Sequence, residues 1–316
     1  VAARTGGGAA GFLTMTPLAF LLVTLSACAH ALWNFLGKRH NPSAALFLAA
    51  SLAAILPFSP TLFVLRRGLA VMPAPAWGLL LATGVTQALY YCALAGAYRL
   101  GDLSWTYPLA RALPVVLIAL VSLALGRASQ IGVLALVGFV CVTVGCLMLP
   151  LPRFADLRWP AYRQPAVRRA ILAAAGITAY MLIDDYALRL LRALPDTSLS
   201  NLEWALLWVE LETISLSLFL FLLVMGKARE RMSLQQILRR QWLFASALGG
   251  VITLAYGLVL WAMAYVRDVS YLAAFRQLSI PIGAALGILW RKEPAYPPKL
   301  TGLALVVIGL LLAAIS

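Results

Sequence analysis

The chain has 316 residues, of which 63% are hydrophobic and only 11% charged, and its mean hydropathy is +0.91. Soluble domains carry about a quarter charged residues, so a water-soluble globule is excluded, and the continuously apolar runs exclude a porin-type barrel, whose strands alternate apolar and polar residues. The net charge of +14, from 25 Lys and Arg against 11 Asp and Glu, belongs to short loops, where it orients helices and meets anionic lipid rather than nucleic acid.

Residues 1–16 lack a pattern and are predicted to form a disordered tail. The first apolar span is predicted over 17–37. Within it "LSAC" (Leu25–Cys28) has the form of a lipoprotein cleavage box. The apolar run continues past it to Lys38, however, and is about 21 residues long, enough to span a bilayer and longer than a signal-peptide core. His30, Trp33, Asn34 and Gly37 share one face by their spacing of three and four. His30 reads either as a hydrogen-bonded packing residue or as a proton site.

The second span is predicted over 43–65 and the third over 75–98. Gln87 and Tyr91 stand four apart on one face of the third, with Tyr90 beside them; such groups either join helices or line a cavity. The fourth span, 103–126, carries Arg111 between Pro108 and Pro114, after Tyr107. Arg111 lies roughly 5 Å from the span's centre, where a charge costs about 2.5–3.5 kcal/mol on insertion scales. It either snorkels to the interface or lines a wet cavity, where its paired donors can grip carboxylate or phosphate oxygens. Prolines are tolerated where the backbone faces such a cavity or another helix.

A fifth span covers 130–150, and a Pro- and Arg-rich linker covers 151–168. The sixth span, 169–191, contains Tyr180 and, four residues on, Asp184 beside Asp185. Adjacent acids on a helix point about 100° apart, so both cannot counter one internal Arg; the pair reads either as one acid countering such an Arg or as an interfacial pair neutralised by Arg189 or Arg192. In the seventh span, 200–226, Glu203 and Glu210 share a face and Glu212 points away from it. Glu203 suits a cap at the helix start; Glu210, lying deeper, is the better proton candidate. The connection "KARERMSLQQILRRQ" (Lys227–Gln241) reads as an arginine-rich loop suited to lipid headgroups. The eighth, ninth and tenth spans are predicted over 241–265, 269–290 and 299–316, with Arg276 and Pro281 inside the ninth. Trp77, Trp242 and Trp290 sit at span ends as interface anchors. Cys28, Cys92, Cys141 and Cys146 lie in apolar runs without metal-ligand spacing and read as small buried side chains.

The fold class expected is therefore all-α membrane, with ten transmembrane helices as two inverted five-helix repeats, 17–150 and 169–316. "YRLGDLSWTYPLAR" (Tyr98–Arg111) and "YVRDVSYLAAFR" (Tyr265–Arg276) follow one pattern. The offset is 166 residues for Asp102/Asp268 and Ser104/Ser270, and 165 for Arg111/Arg276. An odd number of spans per repeat inverts the second copy, a common transporter plan with the substrate site where the halves meet. Loops 1–2, 3–4, 5–6, 7–8 and 9–10 carry more than twice the Lys and Arg of the others, which puts both termini outside the cytoplasm. No Walker loop, serine elbow, dinucleotide fingerprint or paired metal ligands occur, so neither an enzyme nor a cofactor or metal is expected.

Three stretches carry a family resemblance: "SACAHALWNFLGKRH" (Ser26–His40), "YPLARALPVVLIALVSLALG" (Tyr107–Gly126) and "FRQLSIPIGAALGILWRKEP" (Phe275–Pro294). They resemble the drug/metabolite transporter superfamily, in particular its EamA-type ten-helix members, over residues 17–316. The "HALWN" start is also similar to a subgroup associated with phosphonate utilisation. The resemblance implies alternating-access transport, often export, of amino acids or related metabolites, coupled to protons or exchange, in the inner membrane. It implies a cavity walled by helices one, three, four, six, eight and nine, with helix seven peripheral. That favours Trp33, Asn34, Gln87, Tyr91, Tyr107, Arg111, Tyr180 and Arg276 for substrate and Asp184 for the proton, with Glu210 and His30 as further proton candidates. The family's Glu after helix four is absent from "GRAS" (Gly126–Ser129), whereas Glu293 stands at the equivalent place after helix nine; many relatives also have cytoplasmic termini. The expected partners are a small-molecule substrate and membrane lipid, with no nucleic acid, in a monomer or homodimer. An organophosphonate or organic-anion exchanger and a membrane scaffold or lipid-handling protein stand as alternatives.

Overall fold

A computed structural model describes residues 16–37, 42–100, 103–126, 131–148, 151–157, 165–195, 199–282 and 295–315. Lipid offers the backbone no hydrogen bonds, and the apolar runs satisfy their own by coiling. Among the described residues there are thirteen α-helices: α1 (Pro17–Gly37), α2 (Ala44–Phe58), α3 (Pro60–Val64), α4 (Arg66–Val71), α5 (Ala74–Leu100), α6 (Leu103–Ala124), α7 (Val133–Met148), α8 (Pro165–Arg192), α9 (Asn201–Met225), α10 (Ala228–Arg240), α11 (Trp242–Ala262), α12 (Val269–Phe275) and α13 (Pro297–Ala314). The class is all-α. Helices α5, α8, α9 and the segment Trp242–Tyr265 are long and apolar enough to cross a membrane. Large apolar side chains such as Leu172, Leu222, Leu243 and Leu311 lie exposed on the outside, where lipid rather than water suits them.

Four predicted boundaries change. The run predicted as one span over 43–65 breaks after Phe58, because Pro60 has no N–H to continue the ladder and instead starts α3 at its first position. Pro165 likewise starts α8, so helix begins three residues before the predicted end of the linker at 168. Lys227–Gln241 is no loop but α10, whose buried residues Glu230, Leu234 and Ile237 repeat at helical spacing. In the ninth predicted span, α12 tightens to a 3₁₀ turn at Arg276–Leu278 and becomes helical again at 279–282. The predicted tail 1–16, apart from Thr16, and residues 283–294 lie outside the described residues.

Close backbone approach at small residues holds the bundle together. Helices α7 and α13 pack along two glycine contacts. A Cβ added to Gly138 would stand 2.5 Å from the Gly309 carbonyl oxygen, and one added to Gly145 would stand 2.6 Å from that of Gly302. Gly84 lets α5 meet α9 at Ser215, and Gly249 lets α11 meet α2 at Ala50. Helix α5 also packs on α8, α1 on α11, and α2 on α9. Side-chain bonds add to these contacts: Ser217 Oγ donates to Ser51 Oγ at 2.9 Å, and Ser26 Oγ donates to the Ala255 carbonyl at 2.6 Å.

Candidate functional site

Six helices (α1, α2, α5, α8, α9 and α11) and the 3₁₀ turn at Arg276 converge on a cavity of about 50 Å³. It has room for a few water molecules. Much of its wall is aromatic. Phe47 of α2 meets Tyr91 of α5 at 4.5 Å between ring centroids, and Tyr90 lies 4.7 Å from Tyr91. The series continues through Tyr180 of α8, 5.7 Å from Tyr90, to Tyr256 of α11, 5.3 Å further and edge-on. On α1, His30 and Trp33 meet edge to face at 5.1 Å, as their spacing of three allows.

Basic and acidic side chains share this chamber. The Arg276 guanidinium, 5% exposed, lies 5.5 Å from the centre of the Tyr256 ring and donates from Nη1 to the Met181 sulfur at 3.1 Å. Its Nε has no hydrogen-bond partner among the described residues. Glu212 accepts a hydrogen bond from Gln87 Nε2, while its other oxygen, Oε2, has none. The indole N–H of Trp33 is also unsatisfied. Behind the wall, Asp184 is fully buried and held from two sides. Trp208 Nε1 donates to Oδ1 at 3.0 Å and Tyr256 O–H donates to Oδ2 at 2.5 Å. Residues that line the cavity thus carry, among the described residues, unfilled donors at Arg276 and Trp33 and an unfilled acceptor at Glu212. Such groups are costly in a dry interior and valuable to a ligand carrying matching charges.

Of the residues singled out from the sequence, His30, Trp33, Gln87, Tyr91, Tyr180 and Arg276 line the cavity, and Asp184 stands behind it on Tyr256. Arg111 is as buried as Arg276 but is absent from the lining. The side chains of Asn34 and Tyr107 lie outside the described residues. Asp185 turns to the other side of α8, where Arg189 Nε donates to it at 2.9 Å. Glu203 closes a capping box, its N–H donating to Ser200 Oγ at 3.2 Å and its carboxylate accepting from Ser200 N at 2.7 Å.

The acids of helix seven divide as their spacing requires. Glu210, favoured as the proton candidate of that helix, is not among the residues that line the cavity. It is wholly buried, and neither oxygen has a hydrogen-bond partner among the described residues. Glu212, which points away from the Glu203 and Glu210 face, lines the cavity together with Val209, Thr213 and Leu216. Helix seven is therefore part of the wall rather than peripheral. The phase between Glu210 and Glu212 was readable, but which phase faced inward depends on α2, α5 and α11 around it. The i, i+4, i+7 run Val209–Thr213–Leu216 was the available signal, because it sets a polar Thr in the middle of an apolar face. Tyr256, which joins Asp184 to the ring of aromatics, was not identified either.

No group of three or more His, Cys, Asp or Glu able to hold a metal occurs among the described residues. No family model matches the chain, and no curated protein does. A solved crystal structure, described simply as that of a protein, is similar with a TM-score of 0.61 and 17% identity, covering 93% of this chain and 96% of the other. That likeness extends to the fold. What fold and site define is an all-α chain with membrane-length helices around a small cavity lined by both a basic and an acidic side chain.

Proposed function

We propose that the chain is a secondary transporter that binds a small zwitterion, such as an amino acid, in this cavity and exposes it alternately to the two sides of a membrane, here taken as a bacterial inner membrane. The observation that carries the reading is the meeting of Arg276 and Glu212 in one cavity with no ion pair to Arg276 among the described residues, each keeping an unsatisfied polar atom. A carboxylate can take the Arg276 and Trp33 donors, and an ammonium can take Glu212 Oε2, with the tyrosines packing the remainder. A site holding both signs suits a zwitterion better than a simple anion. At about 50 Å³ the cavity is far below the ~300–1,000 Å³ of usual ligand sites, so this conformation is closed and admission requires the helices to part. The 3₁₀ turn carrying Arg276 is a natural place for that, since mid-helix 3₁₀ stretches often mark hinges.

The inverted-repeat reading belongs to this proposal and draws support from packing. Gly84 approaches Ser215 as Gly249 approaches Ala50. The separation of 165 residues between Arg111 and Arg276 recurs between Gly84 and Gly249, Ala50 and Ser215, and Tyr91 and Tyr256. At the same spacing the lining pairs Phe47 with Glu212, Gln87 with Ile252 and Ser51 with Leu216. In each pair one half supplies the polar partner and the other the apolar one, so a symmetric frame encloses an asymmetric site. Ten spans in two halves, 17–150 and 169–316, would bring that about.

The test is counterflow in proteoliposomes. Wild-type protein should exchange labelled for unlabelled small zwitterions. Arg276→Gln should weaken apparent affinity for carboxylated ligands about tenfold to a hundredfold, the size expected for losing hydrogen bonds to a charged group. Unchanged affinity in that variant removes the anion contact. Absence of counterflow with every zwitterion and anion tried removes transport itself and leaves a scaffold.

A further inference from the structure

Helix α10 lies between two of the membrane-length helices. It follows α9 after Gly226 and Lys227 and leads into α11 at Trp242. Two spans that run in opposite directions return the chain to one side of the bilayer, so both ends of α10 are tied to the same surface. At 1.5 Å per residue it is about 20 Å long and lies along that surface rather than leaving it.

Its two faces differ in kind. Glu230, Leu234 and Ile237 are buried against α2 and α9. Glu230 is the helix's single acid, and it is fully used on the inside. Arg99 Nη2 donates to its Oε1 at 2.6 Å, and the N–H of Ala45 at the start of α2 donates to its Oε2 at 3.0 Å. The outward side therefore has no acid of its own to balance Lys227, Arg229, Arg231, Arg239 and Arg240, all exposed. Met232 and Leu238 are exposed among them, at 64% and 52%, and Trp242 follows at 56%.

We propose that this outer face of α10 is a docking surface for anionic phospholipid, the guanidinium groups meeting headgroup phosphates while Met232, Leu238 and Trp242 enter the acyl boundary. Basic residues mixed with large apolar ones on a helix held in the bilayer plane are the combination that interfacial helices use. A nucleic acid would have use for the arginines but not for the apolar side chains between them, and a helix tied at both ends to the bilayer surface meets lipid headgroups first. Through Glu230 the lipid-bound helix is fastened to the end of α5 and the start of α2, which are both helices of the cavity. The inference stands whether or not the chain carries a solute.

Amide hydrogen exchange of the segment 228–240 tests it, on the full chain in nanodiscs of phosphatidylcholine alone and of phosphatidylcholine with phosphatidylglycerol. Exchange should slow at least tenfold when phosphatidylglycerol is present. The effect should disappear in 1 M salt, where the screening length falls to about 3 Å. In R229Q/R239Q/R240Q the protection should be lost, at about fivefold for each charge removed. Equal exchange of the wild-type segment in both bilayers overturns the proposal without recourse to any variant. So does slowing that appears only on adding an acidic protein, a nucleic acid or a second copy of the chain, and so does protection that survives in the triple variant.

Discussion

Asp184 and Asp185 are neighbours in sequence and opposites in use. The 100° step of the helix sends one to the Trp208 and Tyr256 donors and the other to Arg189. The acids of α9 divide in the same way but with a different outcome, since Glu212 finds Gln87 and Glu210 finds nothing. A buried carboxylate with both oxygens unpartnered costs about 1–3 kcal/mol or more. Glu210→Leu should therefore raise the thermal midpoint of the purified protein and leave counterflow unchanged. A lowered midpoint would show that Glu210 has a partner to lose. Glu212→Gln should do the reverse, leaving the thermal midpoint nearly unchanged and weakening binding of ligands that carry an ammonium group. Binding titrations of a zwitterion and of its deaminated analogue would separate the two effects, because only the first should suffer.

At the scale of elements, α10 accounts for what was hardest to anticipate. The inward stripe of α10 contains a glutamate, so the segment lacks the uninterrupted apolar stripe that marks an amphipathic helix. Only the Arg99 guanidinium and the Ala45 N–H, distant in sequence by 131 and 185 residues, make that glutamate an inward residue. Glu230→Ala should loosen α10 by about 1 kcal/mol, a modest figure because Arg99 is about a third exposed. Limited trypsin digestion would report this as faster cleavage at Arg239 and Arg240, with the rest of the chain intact. The break between α2 and α3 was more accessible, for Pro60 states it directly. The tightening at Arg276–Leu278 is marked in the same way by Pro281, which has no N–H for the Gln277 carbonyl four residues earlier and whose ring crowds it. Its position beside the cavity arises from packing against α1.

For the molecule as a whole, the pairs that build the bundle differ from the pairs that build the site. Helices α7 and α13 meet through glycines and supply no residue to the cavity. Gly145→Leu should drive them apart and destabilise the protein by about 1–3 kcal/mol, the usual range for overpacking, with ligand affinity preserved in whatever fraction folds. A thermal-shift series with and without ligand would check both halves of that statement. The sequence by itself determined the membrane class and the positions of most helices, because burying backbone in lipid requires long apolar runs that composition displays openly. It also determined which residues share a helix face, since phase within one helix is a local matter. Only the tertiary structure decided that Glu212 and Arg276 meet while Glu210 and Arg111 stand away from the cavity. Which face of a helix looks inward is set by its neighbours, and two of the neighbours of α9, α2 and α5, come from positions about a hundred residues or more earlier in the chain.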